Sequence, residues 1–408
     1  MKQQRICLVS PGHVASNPRL VKEANALHEA GFQVRVVAGD YMAAIRPLDQ
    51  TILSQAPWAW VQVGLGSRPS YLARRLWQTL ARRVTKTGWI PDISIAIWAH
   101  STVSFQLAKA AAAEPADLYI AHNLAALPAA AIAAQYHHAR LGFDAEDFHV
   151  GELPDTPEYQ AEIAVRDRIE RTFLPRCHHL TAASPGIAAA YAERYGVNMQ
   201  PILNVCPLSE APTSPCKPQT SQPSLYWFSQ TIGPGRGLES IIQAMGQMQT
   251  PVHLHLRGLV AAGYAQQLKE LAQKVGIGDR LHLLPPAPPS EMVRLAALHD
   301  LGLCLELNQP FNRAICLTNK IFTYLLAGLP ILMSKTPAQE EIYEELKETA
   351  LLVNIHEPAA IAIALDQWFS NPVKLKLACA EAWNSGREIY NWDIEKQKFL
   401  LLINLAFK

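Results

Sequence analysis

Two runs of short apolar segments, each alternating with helical pattern and separated by one proline-rich interruption, constrain this chain more than any single motif. In the first run, ICLVS (6–10), VRVVAG (34–39), LYIAH (118–122), LGFDAED (141–147), HLTAAS (179–184) and PILNV (201–205) read as strands. Leu20, Ala24, Leu27 and Ala30 line one face of the helix between the first two, and Gly31 closes it. In the second run, LYWFS (225–229), HLHLRG (253–258), RLHLLP (280–285), LGLCLEL (301–307), LPILMS (329–334) and ALLVN (350–354) repeat the rhythm. Strands that alternate with helices predict a parallel, doubly wound sheet, so the chain is expected to form two such domains. The predicted division is 1–208, a linker at 209–223, and 224–390. A terminal helix at about 391–408, whose apolar side is too wide to leave in water, is expected to cross back onto the first domain. In open sheets of this kind ligands bind beyond the carboxyl ends of the strands, which predicts a site in the cleft between facing domains.

Composition narrows the class. With 49% hydrophobic and 17% charged residues over 408 positions, the chain can bury large cores and is neither disordered nor fibrous. A formal net charge of +1 gives no global attraction to nucleic acid. Seven cysteines without C-x-x-C spacing suggest reduced thiols and a cytoplasmic protein. The start, MKQQRICLVSPGH, lacks the apolar core of a signal peptide, and no apolar run approaches the ~18 residues that cross a bilayer.

The stretch LYWFSQTIGPGRGLESIIQAM (225–245) carries the sharpest local signal. An apolar strand breaks on Gly233, Pro234, Gly235 and Gly237, then resumes with Leu238, Ile241, Ile242 and Met245 at helical spacing. A strand-to-helix loop leaves unpaired N–H groups at the positive end of the helix dipole, where an anion is favoured. Arg236 adds a planar cation suited to phosphate oxygens. An ordinary tight turn would use glycines in the same way. The spacing is neither the dinucleotide fingerprint nor the phosphate loop ending in Gly-Lys-Ser/Thr, which disfavours a nicotinamide dehydrogenase or an ATPase.

Taken together, SPGHVASNPRLVKEANALHEAGFQV, ADLYIAHNLAALPAA, WFSQTIGPGRGLESIIQA and NKIFTYLLAGLPIL resemble, in order and spacing, the glycosyltransferase family 4-like class. The resemblance implies α/β architecture of the GT-B type, with two Rossmann-like domains. It also implies metal-independent, retaining transfer of a sugar from a nucleotide donor, with no cofactor, to a glycan, lipid-linked or other acceptor in polysaccharide or glycoconjugate assembly. It sets Gly12, Gln230, Gly233, Gly235, Gly237, Asn319 and Thr323 around the donor. His122, Arg236 and Lys320 become the catalytic candidates, His122 through its side chain or its backbone carbonyl. Glu146 and Asp147, in FDAEDF, become acceptor-side carboxylates.

Departures from the family pattern matter as much. The arginine usual before the glycine loop is Gln230 here, and the two glutamates usual at the donor helix are Ile315 and Thr323. Lys320 is the expected replacement for the missing cation, forming a diphosphate clamp with Arg236. The missing glutamates keep a non-catalytic binding or scaffold protein as a rival, and a nucleotide-sugar epimerase of the same fold is a second.

Two further features need a reading. Histidines at 137–138, 178–179, 253 and 255 invite a metal site, but adjacent residues point apart and no cysteine or carboxylate stands at ligand spacing, so no metal is expected. The segment SYLARRLWQTLARRVTK (70–86) predicts a basic amphipathic helix with Leu72, Leu76, Leu80 and Val84 on one stripe. Packing its leucines on the first domain is the favoured arrangement, and peripheral contact with an anionic membrane is the other.

Overall fold

The computed structural model describes residues 3–88, 92–215 and 223–408. Of the expected linker, residues 216–222 lie outside the described residues. The chain divides into two compact units. Unit 1 comprises Met1–Ile202, Pro310–Asn312 and Lys396–Lys408, and unit 2 comprises Leu203–Gln309 and Arg313–Glu395.

The sheet of unit 1 uses β1 (Arg5–Ser10), β2 (Gln33–Asp40), β3 (Ala59–Gly64), β4 (Leu118–His122), β5 (Arg140–Ala145), β6 (His179–Ala182) and β7 (Gln200–Pro201). Its order is β3-β2-β1-β4-β5-β6-β7, and every pairing is parallel. Unit 2 uses β8 (Ser224–Ile232), β9 (His253–Val260), β10 (Leu281–Leu284), β11 (Leu301–Cys304), β12 (Ile331–Ser334) and β13 (Ala350–Val353). Its order, β10-β9-β8-β11-β12-β13, is again wholly parallel. Both sheets are therefore doubly wound, with the order reversing between β1 and β4 and between β8 and β11.

Parallel sheets are covered on both faces, which explains why their strands read as apolar runs rather than as alternations. In unit 2, Leu225 and Trp227 of β8 and Leu254 and Leu256 of β9 pack with Ile241, Ile242 and Met245 of the helix Leu238–Met245. Gly302 of β11 allows the Tyr324 ring to lie on the strand, since a Cβ there would sit 2.4 Å from that ring. In unit 1, residues near the C-terminus complete the packing: Phe399 meets His179 edge-on and Phe407 stacks on Phe32.

Several sequence expectations need correction. Between Tyr41 and His100 only the helix at 70–86 is legible in the sequence, and it forms as Arg68–Thr85, but the span also contains β3 and the helices Arg46–Leu53 and Ile93–His100. β3 escapes pattern reading because it is an edge strand, mostly half-exposed, without a clean alternation. The strand expected at 201–205 shrinks to Gln200–Pro201. The helix Arg68–Thr85 turns the other way from the favoured reading: Arg74, Gln78, Ala81 and Thr85 are its buried residues, and the leucines point outward.

HLHLRG forms a strand as expected, within β9. His253 and His255, two apart on β9, share a face, and register sets His282 of β10 opposite His255. His253 Nδ1 lies 2.9 Å from His282 Nε2, and the His255 ring stacks on His282 with centroids 4.5 Å apart and lies tilted against His299 at 4.6 Å. Burial, then repulsion from His282, His253 and Arg257, pushes His255 down to about 4 from the usual 6.5. Burial and the same kind of repulsion push His299 down to about 3. The unfolded chain therefore binds protons below about pH 6.5 that this folded row refuses, and stability falls as acid is added. Unit 2 should lose denaturation midpoint steadily from pH 6.5 toward 4, and His255→Gln should flatten that slope in a pH-dependent urea titration.

Candidate active site

The crevice at a topological switch point lies where the loops after two neighbouring strands part. In unit 2 those loops follow β8 and β11. β8 runs further than expected, to Ile232, and the loop 233–237 leads into the helix Leu238–Met245. Gly235 and Gly237 take positive φ values of 69° and 71°, which a side chain would resist. A Cβ on Gly237 would also lie 2.9 Å from the Leu305 Cβ, so the glycine lets the loop press on the chain leaving β11. Gly237 stands at the N-cap of the helix and offers its first N–H groups no side-chain hydrogen bond.

Two guanidinium groups meet at this loop. Arg236 is half-buried; burial and then the repulsion of Arg313 hold it below the usual arginine range. Arg313 donates from Nη1 to the Gly235 carbonyl oxygen. Its position was not legible in the sequence, because it lies in the five-residue helix Phe311–Ile315 with no motif around it. Gln230, in the place of the family's arginine, is exposed, and so is Asn319 at the start of the helix Asn319–Ala327.

Lys320 is differently placed from the clamp expected of it. It is only 7% exposed. Its Nζ donates to Glu306 Oε1 at 2.8 Å and to Thr318 Oγ1 at 3.4 Å. Glu306, just beyond β11, also accepts from Gln339 Nε2 at 2.8 Å. Burial works to raise this carboxyl, but Lys320 outweighs it and keeps the group below its usual range. Lys320 therefore brings a neutralised charge to the crevice, and Arg236 and Arg313 supply the positive excess. Thr323 and Ile315, where the family has glutamates, are both buried, and the Thr323 hydroxyl lies 3.5 Å from Cys206 Sγ.

Unit 1 treats its own switch point in the opposite manner. Gly39 lets the end of β2 approach the loop after β1, since a Cβ there would sit 2.2 Å from the Pro11 oxygen, and its N–H donates to the Gly12 oxygen at 3.0 Å. Gly12 itself is half-buried. The next residue, His13, faces Asp49 at 2.6 Å through Nδ1, and its Nε2 accepts from the Tyr41 and Met42 N–H groups at 3.1 and 2.8 Å.

His122, at the end of β4, is fully buried and its side chain points into charged company rather than to a surface. Glu23 lies 3.3 Å from its Nε2, and Asp144 and Glu146 lie 3.4 and 3.5 Å from its Nδ1. Arg19, from the Asn-Pro-Arg stretch, grips Asp144 through two nitrogens at 2.6 and 2.7 Å. Asn17 caps the same helix by accepting from the Leu20 N–H at 3.0 Å. Burial opposes a charged His122, but the carboxylates outweigh it and hold the imidazolium well above its usual range. Glu23 is raised by burial and by Asp144. Asp144 is held far below its usual range because Arg19 and His122 overcome burial.

Among the described residues, Glu23, His122 and Asp144 each bring one ligand atom within 4.8 Å of the others, a geometry that can hold a metal ion. The donor set fits one poorly. Both Asp144 oxygens accept hydrogen bonds, from Arg19 and from Thr181 Oγ1, so a guanidinium already fills the cationic place. Glu146 accepts from Asn17 and Asn123 at 2.5 and 3.2 Å. Asp147 accepts from Asn312 Nδ2 at 2.6 Å, and burial followed by Glu152 raises its carboxyl above the usual value.

Comparison with known proteins agrees with this layout. Residues 217–384 match the family model Glycosyl transferases group 1. That segment is a glycosyltransferase domain. The fold of the chain is GT-B. Anabaena HepE, solved with UDP and glucose, superposes with a TM-score of 0.72 at 16% identity over 98% of this chain and 100% of that one. Sucrose-phosphate synthase from Thermosynechococcus elongatus gives 0.72 at 14% identity, with 99% of each chain covered. TarM gives 0.68 at 10% identity, again over 99% of each. No curated protein matches the sequence significantly.

Replacing His122 tests the unit 1 cluster. His122→Gln leaves the Glu23 carboxylate buried beside Asp144, which should cost about 3–5 kcal/mol. Because the folded protein raises the His122 pKa, its contribution is complete below about pH 6.5 and is lost as pH rises through the folded value. The gap between variant and wild type in urea denaturation should therefore be widest near pH 6 and narrow in alkali.

Proposed function

We propose that this protein takes a hexose-type sugar from a nucleoside diphosphate donor and passes it to a glycan or lipid-linked acceptor in surface polysaccharide or glycoconjugate assembly. The observation that carries the reading is the pair Arg236 and Arg313 beside an uncapped glycine loop at the unit 2 switch point. Departure of the sugar leaves negative charge on the β-phosphate. Fixed N–H groups and guanidiniums meet that charge where it develops, so no divalent ion is needed for this step. HepE and its bound UDP and UDP-glucose support a uridine nucleotide as the first donor to try. TarM, solved with UDP and α-GlcNAc-glycerol, supports an acceptor of glycan type.

Within this reading Lys320 positions rather than clamps, fixing Glu306 and the start of its helix next to the phosphates. His122 serves the donor sugar through its backbone carbonyl, because its imidazole is enclosed. Of the two acceptor-side carboxylates, Asp147 is the better suited to exchange a proton, since Glu146 is held by two asparagines and lies beside His122. Retention of configuration follows the family that the motifs resemble, and proton NMR of the product's anomeric signal checks it.

The test is a thermal-shift screen of nucleoside diphosphates and their sugars, in which a ligand that binds only the folded state raises the melting temperature. Arg236→Ala and Arg313→Ala should each weaken binding of the responding nucleotide roughly ten- to hundredfold, the value of a hydrogen bond to a charged group. Lys320→Ala should instead lower stability without ligand, because it strands the buried Glu306. If both arginine variants bind as tightly as the wild type, the site is elsewhere.

A further inference from the structure

The helix Arg68–Thr85 is built inside out. Its inward stripe is mostly polar: Arg74 donates to the Leu65 carbonyl oxygen and Gln78 Nε2 to that of His100 at 3.4 Å, while Arg82, exposed at the margin of the stripe, donates from Nε to that of Ala99 at 2.9 Å. These residues recur every four positions, as the leucines do, so burying one stripe exposes the other. Leu72, Leu76, Trp77 and Leu80 are 56%, 61%, 59% and 40% exposed on consecutive turns. Isolated surface leucines need no explanation, but an apolar row along one helix does.

Charge on the same outward side indicates what covers that row. Arg68, Arg75, Arg83 and Lys86 are exposed, with Arg83 within the leucine stripe and the others along one border of it at 3.6 residues per turn. From Gln50 to Pro91 the chain contains no aspartate or glutamate. The apolar strip, one tryptophan and a basic border with no acid to offset it match a surface that is hydrocarbon within and anionic at its face. A protein partner of ordinary composition would meet the strip with carboxylates at a few fixed points, whereas this border spreads its charge along the whole helix.

We propose that the outward face of the helix Arg68–Thr85 docks unit 1 on an anionic lipid bilayer, lying in the headgroup plane with Leu72, Leu76, Trp77 and Leu80 among the acyl chains. No helix among the described residues is long and apolar enough to cross a membrane, so the attachment is peripheral and reversible. The long arginine side chains reach back to the phosphates while their stems cover the apolar strip. The inference does not depend on the donor reading, since docking needs no nucleotide sugar.

The experiment is co-sedimentation of the full chain with vesicles of phosphatidylcholine alone and of phosphatidylcholine mixed equally with phosphatidylglycerol, at low and high salt. The wild type should pellet with the anionic vesicles, release as salt rises, and stay in the supernatant with the neutral ones. Leu76→Ser with Trp77→Ser should weaken vesicle binding about tenfold or more, and Arg75→Glu with Arg83→Glu at least fivefold per charge. Both pairs are exposed, so melting curves should coincide with the wild type and separate lost docking from lost folding. A wild type that ignores anionic vesicles at low salt overturns the proposal. So does a Leu76→Ser, Trp77→Ser variant that binds as the wild type does. Light scattering that shows a dimer abolished by the same variant, without vesicle binding, overturns it as well and assigns the face to a second copy of this chain.

Discussion

In a wholly parallel sheet every strand ends on the same edge, and the order reverses at one point, so each unit of this protein has a single crevice toward which its loops and helix starts converge. That constraint decides where charge collects. Each helix start that enters the crevice carries unpaired N–H groups and a partial positive charge. The two units meet the same electrostatic demand with different residues, and their chemistry differs accordingly.

Unit 1 answers from within. Asp144, Glu23 and Glu146 bring the negative charge, Arg19 and His122 balance it, and Asn17 closes the helix end. A crevice filled in this way is a structural keystone, since each charge is kept by its neighbours and loss of one strands another. Unit 2 answers only in part. Glu306 and Lys320 neutralise each other, while the uncapped loop at Gly237 and the two guanidiniums at Arg236 and Arg313 leave a positive excess. That imbalance is the basis for proposing unit 2, and not unit 1, as the place for a phosphate.

How much of this was legible beforehand follows from the physics. Strands buried on both faces announce themselves as apolar runs, which is why ICLVS, LYIAH and LYWFS were readable and the edge strand β3 was not. The glycine loop was readable because positive φ and close approach leave a residue signature. Side-chain partners across the fold leave none. Nothing near Lys320 in sequence shows that Glu306 will engage it, and nothing near Arg313 shows that it will reach Gly235. The helix Arg68–Thr85 misled for a related reason. Its two stripes share one period, and pattern reading takes the apolar one to be inside, whereas the backbone acceptors at Leu65, Ala99 and His100 required donors.

The cradle proposed for the phosphate relies on guanidinium and backbone N–H groups, and an arginine side chain keeps its charge throughout the physiological pH range. Its hold on an anion is thus indifferent to acidity across the physiological range. Dissolved ions, which crowd around exposed charge and shorten its reach, are the variable that would loosen it.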